Sequence, residues 1–458
     1  MLLALALASF VSVGMASTVA SQNISFAPQI VTSTFSGNGT LFAGDTNYTL
    51  YRSDDNGSSF RLAYTFPSQT NDTTGFTGYV MMLFIDSKDN IFVSIPGTNR
   101  LYRSTNFGLA FTEVLRTNGI YNGGYYVAMT EDASGNLYTT TYCNSDIDYP
   151  QTFKSTDGGA TWKSIVVCSV VHMHNVKVNP NNGYLYIVCG EYAEGNSHGS
   201  IDAEKVFRST DGGTTWALMV DRNSTSPTVY AVMQFDGNWV YIGSDMAYAV
   251  NFIDRFYDDG AVGKDMYGNG TTVAIQRVYT SPASDGALPF ISACWYNHTL
   301  FFSSSVEFTG GTARIISSTD GLTWNTIKTV SYTPINHHCN MLTSNPKDVM
   351  VSSDGPNANF VVLTEPDPAP TPSPTPSPTP TTTPSPTASP KPSLPPTKEP
   401  VPTPTPIPTP RETPIIPSPT ATQKQNTFSF DIITVVAMVL LFFIIVAGEV
   451  TLVRRLLK

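Results

Sequence analysis

Ser155-Thr156-Asp157-Gly158-Gly159-Ala160-Thr161-Trp162 recurs, one letter changed, as Ser209-Thr210-Asp211-Gly212-Gly213-Thr214-Thr215-Trp216. Looser copies stand at Ser53-Asp54-Asp55-Asn56-Gly57-Ser58-Ser59-Phe60 and Ser104-Thr105-Asn106-Phe107-Gly108-Leu109-Ala110-Phe111. A fifth, one residue shorter, is Ser318-Thr319-Asp320-Gly321-Leu322-Thr323-Trp324. Their serines lie 51, 51, 54 and 109 residues apart, the last interval being about two periods. Repeats of this length, rich in strand signals, predict a propeller or a solenoid.

Between these phrases, from about residue 24 to 364, strand-like runs alternate with Gly/Asn/Asp turns. One unit reads Tyr79–Ile85 as strand A, Asn90–Ser94 as B, Leu101–Ser104 as C and Phe111–Leu115 as D. Asp86-Ser87-Lys88-Asp89 makes the A→B turn, and the repeated phrase makes the C→D turn. Strand B recurs at Leu137–Thr141, Leu185–Val188, Val240–Gly243 and Leu300–Ser304. Four antiparallel strands per ~50 residues make a propeller blade, whose radial packing leaves only short, protected edges.

The phrase S-x-D-x-G-x-[T/S]-[W/F] resembles the Asp-box, or bacterial neuraminidase repeat, of sialidases and of many non-sialidase β-propellers. The resemblance covers roughly residues 24–364, with two copies intact and three degraded. A sixth copy is expected within Asn251–Val278, with Asp258-Asp259-Gly260 as its remnant and an insertion after it. The fold expected is all-β, a seven-bladed β-propeller with six blades as the alternative. In the seven-bladed version a strand near Asn23–Ala27 supplies the D strand that the last unit, Ile335–Leu363, lacks.

A role for the phrase follows from its residues. Asp55, Asn106, Asp157, Asp211 and Asp320 can accept backbone N–H groups across their own turns, and the glycines permit φ > 0. The closing aromatic can then be buried between blades, which is worth a few kcal/mol. Catalysis would have to operate five times at equivalent places, so the phrase reads as structural.

The ends of the chain carry a different message. Residues 1–20 read as a signal peptide, a short apolar run ending in Ser17, Thr18 and Ala20. Eight Asn-x-Ser/Thr triplets, at Asn23, Asn38, Asn47, Asn56, Asn71, Asn223, Asn269 and Asn297, agree with an exported glycoprotein. Residues 365–427 are Pro/Thr/Ser-rich, with recurring Thr-Pro-Ser-Pro. Such a stalk is extended polyproline II and could hold a head up to ~190 Å from its anchor. Residues 428–453 contain the uncharged run Ile432–Gly448 and read as one transmembrane helix. Arg454, Arg455 and Lys458 in the 454–458 tail give the basic cytoplasmic stop. The domain expected at 21–364 is then an extracellular propeller on a single-pass cell membrane anchor.

A net charge of −10 and a pI near 5.0 argue against nucleic-acid partners. Five cysteines, Cys143, Cys168, Cys189, Cys294 and Cys339, are too few for a disulfide scaffold, and their odd number leaves at least one unpaired or paired between chains.

Chemistry, if present, belongs on the face away from the repeated phrase, where the D→A and B→C loops ring the channel mouth. His172 and His174 are two residues apart in an extended run and are expected to point the same way. His337 and His338 open the last blade in a similar string. Strand B repeatedly ends in a small residue and an acid: Gly44-Asp45, Gly190-Glu191, Ser244-Asp245, Ser353-Asp354 and Val306-Glu307. Histidines and carboxylates thus gather on one rim, with Tyr125, Tyr126 and Tyr192 as candidate stacking residues for a saccharide or peptide. A metal centre would use the same groups but lacks a tighter spacing motif, and no cofactor is assigned.

Resemblance to sialidases implies an arginine triad, a Tyr/Glu nucleophile pair and an acid/base residue. The family's early Arg-Ile-Pro is absent here, and Arg52, Arg103 and Arg208 directly precede the repeated serines. The expected function is a non-catalytic recognition head for glycan or protein ligands. A tethered sialidase-like glycoside hydrolase and a structural envelope component are the alternatives.

Overall fold

The computed structural model describes residues 20–364, except 26–29, 69–77, 118–124, 143–149, 168–171, 191–204, 222–228, 247–248, 261–262, 265–269, 306–310, 333–339, 345–347 and 354–358. Residues 1–19 of the signal peptide expected at 1–20, the stalk and the membrane helix lie outside these residues, while Ala20 is the first residue of a strand. No helix among the described residues is long and apolar enough to cross a membrane.

The described strands form seven antiparallel sheets, six of four strands in A-B-C-D order and one, blade IV, in which two short strands extend the four to six. Blade I comprises Ile30–Phe35, Leu41–Asp45, Thr49–Ser53 and Arg61–Thr65. Blade II comprises Met82–Ile85, Ile91–Ser94, Arg100–Ser104 and Thr112–Arg116. Blade III has Tyr125–Glu131, Leu137–Tyr142, Gln151–Ser155 and Lys163–Val167. Blade IV has Met173–Val178, Leu185–Cys189, Lys205–Ser209 and Ala217–Asp221. Blade V is Tyr230–Asp236, Trp239–Ser244, Phe252–Tyr257 and Gln276–Thr280. Blade VI is Phe290–Tyr296, Thr299–Ser304, Gly311–Ser318 and Asn325–Tyr332.

These six sheets are each built from strands in chain order. The seventh joins the two ends of the ring: Asn340–Ser344, Asp348–Ser353 and Asn359–Thr364 take Ala20–Ser25 as their outermost strand. Strand A of each sheet meets strand A of the next, and that of the seventh meets that of blade I, which closes the circle. The N-terminal strand runs Ala20–Ser25, against the expected Asn23–Ala27. Its register runs from Ala20 opposite Thr364 to Ser25 opposite Asn359.

Burial explains the sequence pattern strand by strand. Strand B sits between two neighbouring blades, and Leu41–Asp45 and Leu185–Cys189 are buried at every position. Their near-continuous apolar runs, rather than alternation, follow from having both faces covered. Strand D is the outer edge, and Arg61–Thr65, Thr112–Arg116 and Gln276–Thr280 share one largely exposed pattern. Arg61, Glu113, Arg116 and Arg277 on these edges discourage pairing with other chains. Blade IV departs from this. The insertion expected after Gly260 folds back as Gly263–Lys264 and Gly270–Thr271 and pairs Lys264 with Leu218 on the blade IV edge.

Candidate binding site

Each repeated turn makes the same hydrogen bonds. Asp157 Oδ1 accepts from the Ser155 hydroxyl at 2.7 Å and from Ala160 and Thr161 N–H at 3.0 and 2.9 Å. Its Oδ2 accepts from the Thr161 hydroxyl at 2.6 Å, while Gly159 N–H donates to Ser155 Oγ at 2.8 Å. Asp211 repeats this with Ser209, Thr214 and Thr215. Asp55, Asn106 and Asp320 are held alike by Ser53, Ser104 and Ser318 and by the N–H groups that follow. The Ser59 hydroxyl, then that of Ser53, brings the Asp55 carboxyl down to about 2. Burial pushes Asp211 up, but the Thr215 hydroxyl and N–H and the Ser209 hydroxyl outweigh it, leaving it at about 2. Both carboxylate oxygens of Asp55, Asp157 and Asp211 accept from their own loop.

The turns also join the blades. An added Cβ at Gly159 would stand 2.4 Å from Phe92 Cε1 of blade II, and one at Gly213 2.4 Å from Ile165 Cδ1 of blade III. Trp162 meets Phe92 edge-on at 6.3 Å, and Trp324 meets Tyr241 at 6.4 Å. The residue before the repeated serine reaches onward: Lys154 Nζ donates to the Gly212 carbonyl at 2.9 Å, and Arg208 to the Gly260 carbonyl at 3.0 Å. Arg208 also pairs with the fully buried Asp258, which accepts from Tyr186 Oη at 2.7 Å. The Asp258-Asp259-Gly260 remnant therefore receives the preceding blade's cation.

The rim histidines are placed by an irregularity that the sequence conceals. In blades I, III, IV, V and VI one residue near the start of strand A is skipped by the ladder: Val31, Val127, His174, Ala231 and Ile291. Such a bulge bends the strand and re-aims the skipped side chain. Four blades place an apolar residue there, and blade IV places His174. His172 stands before it with φ at +61°, so the simple alternation expected of His172 and His174 is broken. The rings still meet, edge to face, with centroids 5.7 Å apart.

His174 is buried, with Nε2 3.0 Å from the Gly190 carbonyl. That oxygen can only accept, so Nε2 carries the proton. Nδ1 lies 3.9 Å from Asp245 Oδ2, whose side chain is 20% exposed. The His172 ring stacks on Tyr142 at 4.0 Å and 23°, and Tyr142 stacks on Tyr125 at 5.3 Å and 24°. Tyr125, Tyr142, His172, His174 and Asp245 thus form one cluster drawn from blades III, IV and V. Tyr142 is the member that sequence reading missed; its only signal was its place at the end of strand B beside the two histidines.

The other rim candidates divide. Asp45 is buried and turned into its own loop, accepting from Asn47 N–H at 2.7 Å, Thr49 N–H at 2.8 Å and Tyr51 Oη at 3.3 Å. Burial pushes its carboxyl above the ordinary range despite these donors. Tyr126 is wholly buried among Met82, Phe92 and Phe153, and Tyr125 is only 7% exposed, so a ligand can stack on neither of these two expected residues. Glu191, Tyr192, Glu307, His337, His338 and Asp354 lie outside the described residues. Below the mouth, Asn175 and Lys177 on strand A of blade IV donate to the Ala231 and Met233 carbonyls of blade V at 3.3 and 3.2 Å. Burial lowers the Lys177 ammonium to about 8.

Among the described residues, the arginines that could clamp an anion are committed elsewhere; Arg222 lies outside them. Arg52 and Arg61 bind Asp54, and Arg100 and Arg116 bind Glu113. Arg277 binds Asp254 and Arg314 binds Asp285. Arg103 donates to Asn90, while Arg255 donates to Gln276 and lies over the Trp239 ring. Among the described residues no three His, Cys, Asp or Glu side chains are grouped to hold a metal ion. Cys294 is buried as a free thiol, and Cys189 is disulfide-bonded.

No family model matches the chain, and no curated protein matches it in sequence. Several solved structures are similar in fold. A puromycin-hydrolyzing peptidase of Mycobacterium tuberculosis aligns with a TM-score of 0.51 at 13% identity, over 73% of this chain and 51% of that one. The structure of YCF48 bound to D1 peptide aligns at 0.48 and 12% identity, over 76% and 95%. The extracellular domain of a one-component system protein from B. thetaiotaomicron aligns at 0.49 and 8% identity, over 75% and 40%. At these identities the likeness concerns the fold alone.

Proposed function

We propose that this chain is a surface recognition protein whose propeller binds an extended peptide or saccharide at the channel mouth, without catalysis. One observation carries the reading: the stacked Tyr125–Tyr142–His172 rings beside His174 and Asp245, built on a bulge that four other blades fill with apolar residues. Tyr125 and His174 are buried and back the site. The half-buried Tyr142 and His172 rings offer apolar area at low entropic cost, while the His172 imidazole and Asp245 carboxylate supply direction through hydrogen bonds. The repeated turns, with their shared Ser–Asp–Gly hydrogen bonds, support placing the chain with the Asp-box propellers of the sialidase-like superfamily. Export by residues 1–20, presentation on the 365–427 stalk and anchoring by 428–453 complete the proposal.

The test is a screen of the full-length chain in detergent against peptide and glycan arrays. Any hit is then measured with His172→Asn, which tolerates the left-handed backbone, and with Asp211→Asn on the opposite face. The expected outcome is a loss of about tenfold or more with His172→Asn and no change with Asp211→Asn. Equal affinity in both variants would remove the rim as the binding site.

A further inference from the structure

The hairpin joining Phe290–Tyr296 to Thr299–Ser304 in blade VI turns through Asn297 and His298, with φ at +43° and +59°. Two left-handed central residues are the mark of the type I′ turn, here made without glycine. Tyr296 pairs directly with Thr299, so the two side chains leave the hairpin on one face and flank Asn297. Asn297 is exposed, and the Thr299 hydroxyl donates to its carbonyl at 3.3 Å. Trp295, 39% exposed, meets the His298 ring at 5.5 Å.

Asn297-His298-Thr299 is one of the eight Asn-x-Ser/Thr triplets, and of the eight it alone directly follows an aromatic residue. Other triplets with described side chains differ. Asn38 Oδ1 accepts from the Ser36 hydroxyl at 2.6 Å and Thr40 N–H at 3.0 Å, in a turn without an aromatic partner. Asn56 is half-buried within a repeated turn. Asn47 is exposed but follows Thr46.

We infer that Asn297 carries an N-linked glycan whose first sugar packs against the half-buried Tyr296 ring and so stabilises the hairpin. The inference rests on the export reading. In the modification, Asn297 Nδ2 forms a bond to C1 of the reducing-end sugar of a lipid-diphosphate-linked oligosaccharide. The C1–oxygen bond to the diphosphate breaks, the lipid diphosphate leaves with the electron pair, and the amide proton passes to a base of the membrane transferase. Carbon–hydrogen faces of a pyranose are apolar and stack on aromatic rings as other apolar groups do, while the φ > 0 cost at Asn297 and His298 leaves the bare turn with stability to gain. The site lies at an A→B turn, on the face of the repeated turns, so the opposite rim stays open to ligand.

The experiment expresses the full chain in a eukaryotic secretory host, with wild-type, Tyr296→Ala and Thr299→Ala forms. Peptide mass spectrometry reads leader removal and occupancy at each triplet. Thermal melting is compared before and after an amidase converts the glycosylated asparagine of the folded protein to aspartate. The expected results are leader removal, occupancy at Asn297 that Thr299→Ala abolishes, and a fall of about 2 °C or more on deglycosylation. That fall is expected to disappear in Tyr296→Ala. Leader removal with Asn297 bare, or a glycan whose loss leaves melting unchanged, overturns the inference while export stands. A retained leader with every triplet bare overturns the export reading and this site with it.

Discussion

At the scale of the residue, the repeated aspartate works as a hydrogen-bond hub for its own turn. Asp211 ionises near 2 when folded, against 3.8 for a free side chain. A carboxyl depressed by folding contributes stability that is fully present above the unfolded value and is lost as pH falls through the folded one. The contribution of Asp211 therefore holds above about pH 4 and fades toward pH 2; because the group is exposed, its size is modest. Urea unfolding of wild type and Asp211→Asn should differ most at neutral pH and converge between pH 4 and pH 2, and parallel curves would contradict this. The aspartates were legible in the sequence because five copies show the same letter in the same phase. His174 was legible only as a residue near a rim. Its direction comes from the skipped ladder position, and a bulge leaves no mark on composition or period.

At the scale of the element, the repeated turn needs glycine for two separate reasons. Gly159 has φ at +82°, and its missing side chain leaves room for Phe92 of the preceding blade. Gly135, at φ +78°, has only Glu131 Oε1 at 3.7 Å to meet an added Cβ. Replacing Gly135 with Ala should therefore cost about 1 kcal/mol, the backbone term alone. Gly159→Val should cost about 2–4 kcal/mol, because the blade contact is lost as well. Chemical denaturation of the two variants checks the difference, and equal costs would mean that the contact with Phe92 does not matter. The sequence announces that a glycine is wanted in the turn. It does not announce which neighbour is pressed against it, since that neighbour comes from the preceding repeat and is apposed only once the sheets pack.

At the scale of the whole molecule, the ring is closed by its two ends. Ala20–Ser25 pairs along Asn359–Thr364, which otherwise would be an exposed edge open to other chains. Deleting residues 21–25 should lower stability by about 2–4 kcal/mol and promote self-association, both readable by denaturation and size-exclusion chromatography. An unchanged midpoint would show that the closing strand contributes little. Strand positions and blade period were written into the sequence, because alternating apolar runs and turn residues act within a few residues of themselves. Strand B and the repeated phrase fell almost where expected for that reason. The rim was not written there. Asp45 and Tyr126 carried the right side chains in the right phase, but packing buried one in its own loop and the other beneath the neighbouring blade. Tyr142, His172, His174 and Asp245 became one cluster only when three blades, far apart in the chain, were brought side by side. Local chemistry fixes a repeat from its own letters; a surface shared between repeats exists only after they have packed.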